Sequence, residues 1–374
     1  MNKSISGAGS LNHLKDITFN LNARKVLIVT GKKLFSLSGA QEKIKQMLDS
    51  TEIIVFNEFD SNPKIEDVKH GVQLLRLQKP DLIVAIGGGS ALDMAKLIRV
   101  FACNNDNNYL SYVNHPDTII NKGIPLVAIP TTYGTGSEST RFATIYIDNK
   151  KHSLSHDFVK PDYSILDPEL CLSLPNLIAA SSCLDAISQA VESYWSLKST
   201  DKSKQYALKA INLILSILKK PLKDWELPEV SVMLEAAHLS GKAINISTTT
   251  APHAISYPLT IFFNIPHGYA VALILGSFFK INSDFKNNEI QDAKDELYID
   301  KTMKELFDVF DVSNADECCL KWKGLIKSLG LEENITNVIE CNEHNINLIM
   351  DNVNRERLSN NPIKVTKEIL LSLF

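Results

Sequence analysis

The first part of the chain alternates short apolar runs with longer amphipathic ones. KVLIVTG (25–31), EIIVFNEF (52–59), DLIVAIGG (81–88), PLVAIPTT (125–132) and ATIYID (143–148) are rich in β-branched residues and almost continuously apolar, the pattern of strands buried on both faces. Between them, SGAQEKIKQMLDS (38–50) and KIEDVKHGVQLLRLQ (64–78) repeat apolar positions three and four apart, which predicts helices. Strand alternating with helix predicts a mainly parallel sheet, and ligands of such sheets bind at the carboxyl ends of the strands. DSNPK (60–64) and CNNDNNY (103–109) read as surface loops.

After DPELCLSLP (167–175) the strand signal fades. ASSCLDAISQAVESYW (180–195), KSKQYALKAINLILSILKK (202–220), SVMLEAAHLSGKAIN (231–245), MKELFDVF (303–310) and NVIECNEHNINLIMDNV (337–353) all carry the helical period. The expected fold is therefore α/β: a Rossmann-like parallel-sheet domain over residues 1–169, followed by an all-α-helical domain over 170–374. A chain of 374 residues agrees with about two domains.

Composition narrows the class. With 44% apolar residues, 22% charged residues and a net charge of -4, the chain reads as a globular protein with no basic surplus for nucleic acid. It has no apolar run of about eighteen residues, and MNKSISGAGSLNHLKD has no apolar core, so no membrane partner is expected and a cytoplasmic location is. The six cysteines contain no CxxC pair and are read as reduced packing residues.

Two loops carry candidate chemistry. AIGGGSALDMAK (85–96) places Gly87, Gly88 and Gly89 at the end of a strand, with Ser90 expected as N-cap of the following helix. Glycines let a diphosphate approach the backbone, and a helix N-terminus favours its charge. IPTTYGTGSEST (129–140) follows the next strand and offers the hydroxyls of Thr131, Thr132 and Thr135. The two loops are expected to form two sides of one nucleotide site. NISTTTAPHAISYPLTIFFNIPHGYA (245–270) holds two histidines, His253 and His267, in an otherwise apolar or hydroxylated stretch. In LDAISQAVE, Asp185 and Gln189 are i and i+4, on one helix face.

GGGSxxDxxK, PTTxGTGSE, DPxLxxxLP, LDAxxxAxExxxS and the paired histidines ending in PHG, in this order, together resemble the iron-dependent (group III) alcohol dehydrogenase family. The resemblance implies a dinucleotide-binding first domain, a helical second domain for metal and substrate, and a divalent metal, Fe(II) or Zn(II), between them. Its metal ligands would be Asp185, Gln189, His253 and His267. Gln189 departs from the family, which places histidine there, and an amide oxygen is the weaker ligand. Bound NAD(P)H would deliver hydride to a carbonyl that the cation polarises.

The same resemblance places cofactor contacts at Gly31, Lys32, Asn62, Asp93 and Lys151, beside the two loops above. Gly31 stands where relatives that prefer NAD(H) often carry an aspartate, and Lys32 could pair with a 2'-phosphate, so NADP(H) is favoured over NAD(H). TTTAPHAISYPLT (248–260) and AVESYWSLKSTDKSKQYA (190–207) look most like the phosphonoacetaldehyde reductase branch. Its phosphonate would need cationic partners, for which Arg141, with neighbouring Phe142, and Lys242 are candidates. Tyr257 replaces a further histidine of many relatives and is a candidate to orient the aldehyde or relay a proton. A homodimer is implied. A butanal-type substrate, or a dehydroquinate-synthase-like lyase that consumes no external reductant, are the competing readings.

Overall fold

The computed structural model describes residues 3–104, 109–148, 150–291 and 294–374; of CNNDNNY, residues 105–108 lie outside them. The chain divides into two compact units, one of residues up to Leu174 together with Glu226–His238, the other of Pro175–Trp225 and Leu239–Phe374.

The first unit is built on a six-stranded, wholly parallel sheet: β1 (Lys3–Ser6), β2 (Lys25–Thr30), β3 (Glu52–Phe56), β4 (Leu82–Gly87), β5 (Leu126–Pro130) and β8 (Tyr163–Leu166), in the order β1-β8-β5-β4-β2-β3. Successive side chains of the central strands feed two cores. Leu27, Val29, Ile83, Ala85 and Ala128 pack with the helices α2 (Ile65–Gln78) and α3 (Gly89–Cys103), while Val26, Ile28, Val84, Ile86 and Val127 pack on the other face with α1 (Ala40–Met47). Both faces are covered, which is why these strands read as apolar runs without alternation.

ATIYID departs from the expected parallel strand. It lies in β6 (Phe142–Ile147), which pairs antiparallel with β7 (Lys150–Ser155) as a separate two-stranded sheet. Ala143 and Ile145 are buried while Thr144 and Tyr146 are only partly so, the alternation of a strand with one covered face. The sheet also gains β1 and β8, which pair from Lys3 opposite Tyr163 to Ser6 opposite Leu166. β1 is a four-residue edge strand with mostly exposed side chains, so no apolar run announces it.

The strand order reverses between β2 and β4: β3 lies beyond β2, whereas β5 and β8 lie beyond β4. Such a switch point opens a crevice at the carboxyl ends of the two strands, and these ends are Gly31 and the Gly87–Gly89 loop.

The second unit is helical: α4 (Asn176–Trp195), α5 (Asp201–Ile217), the later part of α6 (Leu227–Ser247), α7 (Ala251–Phe263), α8 (His267–Ser283), α9 (Glu296–Val309), α10 (Ala315–Ser328), α11 (Glu343–Asp351) and α12 (Arg355–Leu358), with shorter turns between. α8 is buried on almost every side and packs against α4, α7, α9 and α10; a helix apolar all round belongs at the centre. Local signals set the boundaries. Thr200 and Ser203 form a capping box at the start of α5. NVIECNEHNINLIMDNV is not one helix, because the Asn342 side chain accepts the Asn345 N–H and begins a new one.

Candidate active site

At the switch point, Gly87 has φ 148°, a conformation that side chains rarely adopt, and a Cβ there would meet the Ala91 Cβ at 2.9 Å. That same position lies 3.7 Å from the Gly31 backbone nitrogen, so the ends of β2 and β4 are in close contact. A Cβ on Gly89 would sit 2.8 Å from the Thr135 Cγ2, and one on Gly88 would sit 3.4 Å from the Thr132 Cγ2. The two loops thus close on one another, and Thr131 N–H donates to the Gly87 carbonyl at 2.9 Å. The Thr131 hydroxyl is buried without a hydrogen-bond partner.

Ser90 is not the N-cap. Gly88 occupies that position, without a side-chain cap, because the helix begins two residues earlier than expected, at Gly89. The Ser90 hydroxyl instead accepts the backbone N–H of Asn62 at 3.2 Å, and Asn62 stands at φ 68°. Both Asp93 oxygens are engaged within the protein, accepting from the Ser137 hydroxyl at 2.7 Å and the Thr144 N–H at 2.9 Å.

One turn on, Lys96 is fully buried. It donates to Ser137 Oγ (2.7 Å), Thr140 Oγ1 (3.2 Å) and the Phe142 carbonyl (2.7 Å), tying α3 to the second loop and to β6. Burial lowers its pKa to about 8 against the opposing charges of Asp93 and Glu138. Lys32 lies on the exposed surface 3.9 Å from Asp60, and Lys151 stands on β7 opposite Tyr146.

In the helical unit, one ligand atom each from Asp185, His253 and His267 lie within 4.8 Å of one another. Three local devices bring them together. Asp185 faces inward from α4, whose residues 185, 189 and 192 share a face. His253 sits in the first turn of α7. Asn264, at φ 54°, ends α7, and Pro266 precedes His267 at the start of α8. The glycine of PHG lets α8 approach: a Cβ on Gly268 would lie 2.0 Å from the Ser181 carbonyl oxygen and 2.5 Å from the Asp185 Cβ.

Glu192 is the residue of the candidate site that sequence reasoning passed over. It is fully buried, and one oxygen accepts from Thr250 N (2.9 Å), Thr250 Oγ1 (2.9 Å) and His253 N (3.2 Å), capping α7 from another helix. Its other oxygen binds His253 Nδ1. A carboxylate on one imidazole nitrogen orients the other toward a metal. The only signal in the sequence was its place at i+7 from Asp185, in a motif whose acid had no assigned partner.

The donor set fits a divalent cation. His253 Nε2 is buried and lies 3.4 Å from Asp185 Oδ1, and a cation held between them would take over this nitrogen from any proton it carries. Two imidazoles and a carboxylate suit Fe(II) or Zn(II). Burial is the largest influence on His253 and pulls its pKa down, but the Glu192 charge and the contacts with Asp185 and Glu192 outweigh it and lift the value to about 9. Burial likewise pushes the Asp185 carboxyl up, yet His253, His267 and Gln189 together hold it below its ordinary value.

Gln189 points its amide N–H at Asp185 Oδ1 (3.0 Å), while its oxygen lies 3.4 Å from the Ser240 hydroxyl. In this arrangement it steadies Asp185. The Tyr257 ring stacks on His267, with centroids 5.7 Å apart. Of the expected substrate cations, Arg141 pairs with Asp157 at 3.3 Å beside Phe142, the first residue of β6, and Lys242 lies 5.9 Å from the centre of the Tyr206 ring.

Comparison with known proteins gives the family. The model of iron-containing alcohol dehydrogenases matches residues 2–168, and that of the C-terminal part of the Fe-containing alcohol dehydrogenase family matches 179–374. The chain belongs to the iron-containing alcohol dehydrogenase family, whose members bind NAD(P) and a divalent metal. It is an NAD(P)-dependent enzyme of the alcohol dehydrogenase and aldehyde reductase class.

Long-chain-alcohol dehydrogenase 1 of Geobacillus thermodenitrificans is 32% identical over 274 residues, 72% of this chain and 69% of that protein. Phosphonoacetaldehyde reductase of Streptomyces viridochromogenes is 33% identical over 244 residues, 62% of this chain and 61% of the relative. Sulfoacetaldehyde reductase of Bifidobacterium kashiwanohense, solved in complex with NAD+, superposes with a TM-score of 0.86 at 27% identity, covering 100% of this chain and 96% of its own. Among the described residues no helix is long and apolar enough to cross a membrane.

Proposed function

We propose that this enzyme reduces a small acid-bearing aldehyde, phosphonoacetaldehyde first among candidates, to the primary alcohol, using NADPH in preference to NADH. The observation that carries the reading is the convergence of one ligand atom each from Asp185, His253 and His267 within 4.8 Å of one another. Those three side chains hold the cation, Fe(II) or Zn(II), with Glu192 fixing His253 and Gln189 steadying Asp185. Bound there, a divalent cation supplies Lewis acidity that makes a carbonyl carbon a better hydride acceptor.

The chain's own residues do the rest. Gly31 and Gly87–Gly89 leave room for a diphosphate at the switch point, and the α3 N-terminus favours its charge. Ser90, Thr131, Thr132 and Thr135 lie around that loop, with Asn62 toward the adenosine and Lys151 toward the nicotinamide. Lys32, with no acid at Gly31, supports a 2'-phosphate. Tyr257, stacked on His267, orients the aldehyde or passes a proton to the product oxygen. The phosphonate- and sulfonate-bearing aldehydes named for two of the relatives support the substrate class. We also propose a cytoplasmic homodimer.

The test is nicotinamide oxidation with phosphonoacetaldehyde or butanal as acceptor, with Fe(II), Zn(II) or a chelator present. The expected result is metal-dependent turnover with a higher kcat/KM for phosphonoacetaldehyde and for NADPH. An equal or higher kcat/KM for butanal would replace the acid-bearing substrate. Absence of aldehyde-dependent oxidation with either metal would overturn the reductase.

A further inference from the structure

The structure points to a cation that the sequence pattern did not single out. We infer that Arg357, on the short helix α12 beside Tyr257, binds the acid group of the substrate and so selects anionic aldehydes over neutral ones. The inference rests on the aldehyde-reductase reading above and names the residue that would give it its substrate class.

Arg357 is held in place from both sides. The Asn354 side chain accepts the Arg357 backbone N–H at 3.0 Å. Three residues beyond, the fully anchored Asn360 donates from Nδ2 to Ser247 O (2.9 Å), Thr248 Oγ1 (2.8 Å) and Thr249 O (3.0 Å). These bonds lock the end of α12 to the segment that leads into α7, and α12 itself packs on α7. Tyr257 lies on α7, is hydrogen-bonded through its hydroxyl to Thr249, and stacks on the candidate ligand His267. Ligand, tyrosine and the helix that carries the arginine thus follow one another within the helical unit. Of the charges that act on the Tyr257 hydroxyl, that of Arg357 is the strongest, ahead of Glu192 and Asp185.

Charge balance gives Arg357 a task. Asp185 and Glu192 are both buried at the site, and two carboxylates neutralise one divalent cation. A substrate carrying a phosphonate or sulfonate brings one or two further negative charges, and with its carbonyl at Asp185, His253 and His267 the acid group would extend a few bonds away, toward Tyr257. An arginine there suits the task, since its planar fork donates two parallel hydrogen bonds to the oxygens of such a group. Arg357 is partly exposed, as a group that must meet a ligand has to be.

The experiment compares kcat/KM for phosphonoacetaldehyde and butanal in the metal-loaded wild type, Arg357→Met and Arg357→Lys, with a thermal melt of each to confirm folding. Hydrogen bonds to charged groups of this kind correspond to roughly tenfold or more in discrimination. The expected result is a loss of at least about tenfold in the phosphonoacetaldehyde-to-butanal ratio in Arg357→Met, carried mainly by KM for the acid, with butanal turnover kept and part of the ratio restored by lysine. A ratio unchanged in Arg357→Met, or an equal fall for both aldehydes, overturns the inference and leaves the reductase standing. A wild type that reduces butanal without favouring phosphonoacetaldehyde also overturns it. A wild type that reduces neither removes the reductase itself, and this inference with it.

Discussion

Replacing Glu192 by glutamine changes one oxygen to nitrogen at nearly constant volume, and the geometry makes its outcome specific. In the wild type one oxygen accepts from Thr250 N, Thr250 Oγ1 and His253 N, at 2.9, 2.9 and 3.2 Å, while the other takes His253 Nδ1. Glutamine has a single acceptor oxygen. If that oxygen stays with the three donors, its amide N–H faces His253 Nδ1, which must then accept. The imidazole proton moves to Nε2, the nitrogen that lies 3.4 Å from Asp185 Oδ1, and ligation through that atom is blocked. If the amide turns round, its N–H opposes the Thr250 and His253 N–H groups and α7 loses its cap, at a cost of about 1–3 kcal/mol.

The first outcome should weaken the metal by about 10- to 100-fold, as lost partners of metal-bound histidines do, which is roughly 1.4–2.7 kcal/mol. Competition with a chromophoric chelator measures Zn(II) affinity, and the Tm of the metal-free protein separates the two outcomes. A Glu192→Gln protein with both the Zn(II) affinity and the metal-free Tm of the wild type would refute the reasoning.

Three further perturbations follow from the same geometry. Gly268→Ala forces a Cβ against the Ser181 carbonyl and Asp185, so α8 must move off α4; a loss of about 1–3 kcal/mol or more and weaker Zn(II) binding should appear together in denaturant titrations and in the competition assay, and a protein unchanged in both would contradict the packing. Gln189→His adds an imidazole one turn from Asp185 and should tighten Zn(II) binding by on the order of tenfold or more, with unaltered or weaker binding counting against a ligand-competent position. Lys96 has a folded pKa of about 8 against an ordinary 10.5, so between these values the unfolded chain holds a proton that the folded chain lacks, and stability from this group rises with pH across that window. Wild type minus Lys96→Met, followed by denaturant unfolding from pH 7 to pH 10.5, should therefore shift in favour of the wild type by on the order of 2–3 kcal/mol; a flat or falling difference would show that the folded lysine keeps its proton.

Much of the site was readable because its signals are local. The i, i+4 spacing of Asp185 and Gln189, the glycines ending β4 and the NIPHG turn that starts α8 are each decided within a few residues, by helix period, by φ or by capping. Arg141 and Lys242 show the limit of that reading: both stand near the motifs in sequence, yet their charges meet Asp157 and the Tyr206 ring. Nearness along the chain says little about where a long side chain is directed.

The sequence by itself determined the alternation of strand and helix, the helical second half and the residue types for a cation and a dinucleotide, because burial on one face or two leaves a period of 3.6 or a continuous apolar run. Only the tertiary structure decided that β6 turns back on β7, that the short polar β1 completes the sheet on β8, and that Glu192 reaches 61 residues along the chain to hold His253. Those outcomes depend on which distant backbone or side-chain group satisfies each hydrogen bond, and a buried group's partner is settled by packing, which no local period encodes.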